Sequence, residues 1–258
     1  MPQILVHGRK VLCSGILFDK DGTLLDFMQM WGAWATVLIG LLDEYLAALG
    51  KEPIGERKES LGLISDQTGT IIGYDKAGPV AMGTEEEVTA LLAWHLYTAG
   101  IPWNEATVLV RHYNKSAMQK LEQDRKAVPL PELTPFLQAC HKSGMKMAVV
   151  TSDTTHEAEK HLDWMELRSY FPVIVGRDKV ARGKPDPEMA LLALQEMGLP
   201  PQQCIVIGDS NGDMVMGKQA GALCTIGIAP DGDGEQYLLD ADLIIRGYDE
   251  LSIQPSRC

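Results

Sequence analysis

The stretch Gly15-Ile16-Leu17-Phe18-Asp19-Lys20-Asp21-Gly22-Thr23-Leu24 decides the fold. Its first four residues are apolar with no polar alternation, the pattern of a short strand buried on both faces. Charge then arrives abruptly, and Asp21-Gly22 supplies turn chemistry directly behind the strand. In an extended segment, residues two apart project to one side, so Asp19 and Asp21 are expected to face a common pocket while Lys20 points away. Two such carboxylates repel unless one is protonated or a cation neutralises them.

The same design recurs downstream. Met147-Ala148-Val149-Val150, Cys204-Ile205-Val206-Ile207 and Leu223-Cys224-Thr225-Ile226 read as buried strands, and Leu243-Ile244-Ile245 as a further one. Helical patterns separate them over 135–142, 156–165, 187–197 and 214–220. Strands without alternation, spaced by helices, predict an α/β domain with a parallel sheet covered on both faces. Ligands bind beyond the carboxyl ends of such strands, where Asp19-Lys20-Asp21, Thr151-Ser152-Asp153 and Gly208-Asp209-Ser210 all fall. Upstream, Ile4-Leu5-Val6 and Val11-Leu12-Cys13 flank His7-Gly8-Arg9-Lys10 as a hairpin.

Between the first buried strand and the second lie roughly 100 residues more than one crossover needs. This excess predicts an inserted domain. Its boundaries are 27–128, leaving 1–26 and 129–258 as the core, with Asp26-Phe27 as exit and Val128-Pro129-Leu130-Pro131 as return. Periodicity predicts helices over 28–49, 84–99 and 104–123, hence an α-helical bundle. The glycine-rich segment 62–83 reads as an irregular loop. Trp31, Trp34, Trp94 and Trp103 are expected as core anchors of the insert. Arg57 with Lys58, and Arg111, His112 and Lys115 on one helical segment, are expected on its solvated surface, while either set could meet an anionic leaving group.

The chain has 258 residues, 45% of them hydrophobic, enough for a sizeable core. Its formal charge of −12 opposes a nucleic-acid partner, which needs clustered Lys and Arg to release counterions. The first apolar stretch ends at Asp19, too early for a signal peptide, and 31–42 is broken by Asp43-Glu44, well short of a membrane span. Five cysteines, widely spaced and without a C-x-x-C pair, suggest neither disulfides nor zinc and fit a reducing, cytoplasmic setting. Of the six histidines, only His156 and His161 approach ligand spacing, and they read as an exposed helix face. Asp231-Gly232-Asp233-Gly234 lacks the later ligands of a calcium loop and reads as a turn. Nothing here indicates an oligomeric state.

Phe18-Asp19-Lys20-Asp21-Gly22-Thr23-Leu24 resembles the first motif of the haloacid dehalogenase-like phosphatases, a D-x-D-G-T at the end of the first core strand. Three further segments follow in the order that superfamily requires. Val149-Val150-Thr151-Ser152 is similar to its second motif, Arg182-Gly183-Lys184-Pro185-Asp186-Pro187 to its third, and Ile207-Gly208-Asp209-Ser210-Asn211-Gly212-Asp213 to its fourth. Taken singly, each has a plain alternative. Thr151 could cap a helix, Lys184 could sit on an exposed loop, Asp209 could be an N-cap, and Asp213 a first-turn acid favoured by the helix dipole. Four ordered coincidences at strand ends favour the shared origin.

The resemblance implies a Rossmann-like core with an inserted α-helical cap, of the phosphoglycolate phosphatase-like branch. It makes Asp19 the nucleophile and Asp21 the acid and then the base. Thr151 and Ser152 would bind phosphoryl oxygens, and Lys184 would neutralise both nucleophile and phosphate. Asp19, Asp209 and the backbone carbonyl of Asp21 would hold Mg2+, with Asp213 supporting them from behind. The implied reaction is magnesium-dependent release of phosphate from a small metabolite, phosphoglycolate or a sugar phosphate, with the cap as a lid that selects small substrates. Asp21 speaks against the dehalogenase and phosphonatase branches. A β-phosphoglucomutase-like sugar phosphomutase remains a rival, and a catalytically silent regulatory binder on the same fold is a rival of another class.

Overall fold

The computed structural model describes residues 1–54 and 59–254. Arg57 and Lys58, singled out in the sequence, lie outside the described residues, as does Cys258, the last of the five cysteines. The chain divides into two compact units, Met1–Asp26 with Ala127–Cys258, and Phe27–Lys126.

The first unit opens with the expected hairpin, β1 (Gln3–Val6) and β2 (Arg9–Leu12). Its turn is tighter than the sequence suggested: His7 and Gly8 both take positive φ, 48° and 78°, the two-residue geometry whose twist matches paired strands. β3 (Gly15–Phe18) follows, buried at every position.

In the second unit, one wide helical turn (Met28–Gly32) leads into α1 (Ala33–Ala48). The segment 62–83, expected as an irregular loop, instead contains β4 (Leu63–Ser65), β5 (Ile71–Tyr74) and the short α2 (Pro79–Met82). The strands pair antiparallel, with an irregularity between Ile64 and Ser65. Asp66 makes the turn: its Oδ1 accepts from the backbone N–H of Thr68 and of Thr70, the side-chain mimicry that favours Asp in turns. The insert is therefore helical with a small hairpin rather than a pure bundle.

The second unit's long helices are α3 (Glu85–Thr98) and α4 (Trp103–Asp124). Thr84 caps α3 in a reciprocal capping box with Glu87, satisfying otherwise unpaired N–H groups. α1 buries Trp34, Leu38, Ile39, Leu42 and Leu46, each worth about 1.5–3 kcal/mol against exposure. Trp34 Nε1 donates to Asn114 Oδ1 at 2.8 Å, and Asn114 Nδ2 donates to Glu85 Oε1 at 2.7 Å. Trp34 is thus the core anchor expected, but Trp94 and Trp103 are not: they are 54% and 47% exposed. Their rings pack around Tyr97 at the surface instead.

Back in the first unit come α5 (Leu133–Lys142), β6 (Lys146–Val150), α6 (Thr155–Trp164), β7 (Val173–Val175), α7 (Glu188–Met197), β8 (Cys204–Gly208), α8 (Asn211–Ala220), β9 (Cys224–Ile228), β10 (Leu243–Ile245) and β11 (Leu251–Gln254). The six-stranded sheet runs β10-β9-β8-β3-β6-β7, parallel throughout. Numbered along the chain, its strands stand 3-2-1-4-5-6, the doubly wound nucleotide-fold order. β3 is at the point where the order reverses, with β6 on one side and β8 on the other.

Leu17, Ala148, Val150 and Val206 of the sheet pack on Met189, Ala193 and Leu194 of α7 and Met216 of α8. Phe18 meets Phe136 and Phe171 edge-on. β11 pairs with β1 beyond this sheet. Strand exit and return are also tied together: Asp26 N donates to Val128 O, and Leu130 N to Leu24 O.

Candidate active site

The backbone of β3 carries the chain to the reversal point and stops there. Asp19 N donates to Ile207 O at 2.9 Å, so the residue following β3 is still held against β8. Lys20 O then accepts from the N–H groups of Thr23, Leu24 and Leu25, closing a tight helical turn. Gly22 sits in it at φ +76°, where a Cβ would lie 2.1 Å from Asp209 Oδ2. No side chain fits there, so the glycine both makes the turn and leaves room for the Asp209 carboxylate.

Four of the sequence-chosen residues converge. Ligand oxygens of Asp19, Asp209 and Asp213 lie within 4.8 Å of one another, all on buried residues. Lys184 reaches into them, its Nζ 2.5 Å from Asp19 Oδ1 and 2.6 Å from Asp213 Oδ1. The alternative of Lys184 as a solvated loop lysine does not hold, since its side chain is 9% exposed. Asp213 is doubly used. It is the third residue of α8, and its Oδ2 accepts from the backbone N–H and hydroxyl of Ser210, while Ser210 caps the helix in return. Ser210 therefore fills the N-cap role considered for Asp209. That box also explains why α8 starts at Asn211, ahead of the Met214 start read from periodicity.

Three carboxylates around one ammonium leave an excess of negative charge in a buried place. Burial, with the charges of Asp213, Asp209 and Asp21, pushes Asp19 up to about 8, although Lys184 pulls the other way. Lys184 is held charged, its pKa raised by Asp19 and Asp213 against the effect of burial. With all three carboxylates ionised the cluster is thus two positive charges short of neutral. Its donors are hard carboxylate oxygens, the set that suits a magnesium ion.

Thr151 and Ser152 follow β6 at the same edge of the sheet. Thr151 is buried, its N–H donating to Val175 O at 3.0 Å and its Oγ1 accepting from Asp153 N. Ser152 is exposed. Among the described residues, no hydrogen bond or ion pair joins either one to Asp19. Thr151 is not the cap of α6; Thr154 is, accepting from Glu157 N.

Two expectations about neighbouring residues are corrected. Lys20 does not point away from Asp21. It is fully buried, its Nζ 2.7 Å from Asp21 Oδ1, 3.2 Å from His161 Nδ1 and 3.4 Å from Asp153 Oδ2. The period-two rule fails because the chain leaves the extended conformation directly after Asp19. His161, read as exposed, is also fully buried, and burial with the nearby Lys20 charge lowers its pKa to about 3. These residues were missed for a simple reason. Nothing in the sequence around His161 marks it as facing the first motif, although a lysine between two acids was a signal that could have been followed.

The chain is 27% identical over 209 residues to a phosphoglycolate phosphatase of Pseudomonas fluorescens, covering 81% of this chain and 67% of that protein. It is 27% identical over 207 residues to the phosphoglycolate phosphatase of Salmonella typhimurium, covering 80% and 78%. Among solved structures, a Thermotoga maritima protein classed as a β-phosphoglucomutase superposes with a TM-score of 0.64 at 21% identity, over 92% of this chain and 96% of that one. The haloacid dehalogenase-like hydrolase family matches residues 13–221. With four motifs at the strand ends of a doubly wound sheet and a family match over most of its length, the chain belongs to the haloacid dehalogenase-like hydrolases.

Proposed function

We propose that this phosphoric monoester hydrolase removes phosphate from a small metabolite through an aspartyl-phosphate on Asp19. The observation that carries the reading is the meeting of Asp19, Asp209, Asp213 and Lys184 at the reversal point of the sheet. Such a cluster suits phosphoryl transfer, which asks chiefly for positioning and charge neutralisation.

In this reading Asp19 attacks phosphorus in line with the leaving oxygen, forming one P–O bond as the other breaks. Lys184 offsets the charge of nucleophile and phosphate together. Thr151, through its hydroxyl, and Ser152, through its backbone N–H, bind phosphoryl oxygens. Asp21 gives the leaving alcohol its proton, then takes one from the water that releases the phosphate. Asp19, Asp209 and the backbone carbonyl of Asp21 would hold magnesium, which supplies neutralisation and orientation at the phosphoryl group. Residues 1–26 with 129–258 form the catalytic core in this reading, and 27–128 the cap that selects small substrates.

The phosphoglycolate phosphatases among the relatives support a small, anionic phosphomonoester, phosphoglycolate or a sugar phosphate. The likeness to a β-phosphoglucomutase is one of fold. A panel of small phosphomonoesters, assayed with magnesium and with chelator, tests the proposal. Inorganic phosphate should accumulate only with metal. Isomerised sugar phosphate in its place would identify a mutase, and no turnover of any ester would favour a silent binding protein.

A further inference from the structure

The proposed mechanism leaves one buried cation without a role. Lys20 lies between Asp19 and Asp21 in sequence, and no part of it is exposed. A buried ammonium is retained only where partners compensate its lost hydration. Those of Lys20 come from both catalytic loops. Asp21 Oδ1 is 2.7 Å away on the loop after β3, and Asp153 Oδ2 is 3.4 Å away on the loop after β6. His161 Nδ1, on α6, is 3.2 Å away. Asp153 is itself fixed: its Oδ1 accepts from Thr154 N, its N–H donates to Thr151 Oγ1, and its carbonyl accepts from Arg177 N. The neutral imidazole of His161 accepts from the ammonium without adding charge.

The geometry points to Lys20 as a positioning residue for the reaction, a buried tie that holds the Asp21 carboxylate by Oδ1 and fixes it relative to the loop carrying Thr151. This rests on the reading of Asp21 as acid and base. A carboxylate on a short side chain has freedom about two torsions, and proton transfer demands an aimed oxygen. The ammonium removes that freedom and braces the aimed group against the phosphate-binding loop. Lys20 touches no reacting atom; it acts through Asp21.

The test uses two esters of similar size. Benzyl phosphate requires a proton on its alkoxide as the P–O bond breaks, whereas 4-nitrophenyl phosphate releases a phenolate that departs without one. Lys20→Met should lower kcat/KM for benzyl phosphate about 100-fold, the lower range of general-acid contributions; kcat/KM reports formation of the phosphoenzyme and leaves out its later hydrolysis, in which Asp21 serves both esters alike. The effect on kcat/KM for 4-nitrophenyl phosphate should stay within about fivefold, because formation of the phosphoenzyme from that ester asks little of the acid. Added to Asp21→Asn, Lys20→Met should cost almost nothing more, since both changes remove one function. Equal losses on both esters, or losses that multiply in the double variant, would overturn the inference.

If Asp21→Asn alone shows no preference between the esters, Asp21 is not the acid, and the inference falls with that reading. A selective loss in Asp21→Asn without one in Lys20→Met removes the positioning role alone. Should Lys20→Met not fold, Asp153→Asn weakens the tie while the ammonium keeps Asp21. A smaller loss confined to benzyl phosphate is then expected, and an unselective loss contradicts the inference.

Discussion

Among the described residues of the core, the buried charged side chains gather at the carboxyl ends of β3 and β8: Asp19, Lys20, Asp209 and Asp213. Among the described residues of the inserted unit the buried polar side chains are Thr89, His95 and Asn114, distributed along α3 and α4. Asn114 bridges Trp34 and Glu85, and His95 Nε2 meets Ser60 Oγ at 2.5 Å. The difference is one of cost. Neutral groups are carried in a protein interior for one hydrogen bond each, but a crowd of carboxylates is destabilising unless a cation joins it. The insert uses its polar groups to fix helix packing, whereas the core holds charges whose arrangement serves packing poorly and phosphate chemistry well.

The sharpest break of that comparison is Gly22→Ala. A Cβ there would occupy the place of Asp209 Oδ2 and add strain at φ +76°, so the carboxylate must move. A loss of about 100-fold in kcat/KM is expected, about 2.7 kcal/mol of transition-state stabilisation, with a stability cost of about 1 kcal/mol. Denaturation and steady-state kinetics on the same sample separate the two. Unchanged kcat/KM would show that Asp209 does not need its present position.

A second effect concerns pH. In the folded metal-free protein burial and the neighbouring carboxylates push Asp19 up to about 8, whereas an unfolded Asp titrates near the ordinary carboxylate range. The folded state thus binds more protons within that window, and metal-free stability should fall as pH rises through it. Magnesium competes with that proton, so the rise in Tm that it gives should grow toward pH 8. At a concentration 100 times Kd the stabilisation is about 2.7 kcal/mol, several degrees for a chain of this size. Thermal melts with and without magnesium at pH 5 and pH 8 measure it. An equal shift at both would mean that Asp19 does not share its site with the ion.

The smallest effect belongs to the insert. Asn114→Ala leaves the Trp34 N–H without its acceptor and should cost about 1–3 kcal/mol, while kcat measured well below the melting range stays within about twofold. A kcat loss as large as that of Gly22→Ala would erase the distinction between the units.

Much of this was legible in the residues. Gly15–Phe18 and the apolar runs ending at Val150 and Ile207 fixed the parallel sheet, because strands buried on both faces leave no room for alternation. The convergence of Asp19, Lys184, Asp209 and Asp213 could be expected from motif order, since strand ends in such a sheet share one edge. The short strands were harder. Val173–Val175 is too brief to separate from a helix edge by period, and the hairpin in 62–83 is held by the Asp66 turn rather than by a hydrophobic pattern. Trp94 and Trp103 show the weakness of reading burial from residue type: their rings pack on Tyr97 without entering the core. Lys20 was misplaced because alternation was carried past the end of β3, into a turn where it no longer applies.

The central claim is that the phosphoryl group passes to Asp19. Acid quench of the enzyme within the first turnover, followed by mass spectrometry of the peptide containing residues 15–25, tests it most directly. The wild-type peptide should carry a phosphoryl adduct on Asp19 that hydroxylamine removes, and Asp19→Asn should show neither the adduct nor turnover. An adduct on another residue, or steady phosphate release by Asp19→Asn, would contradict it.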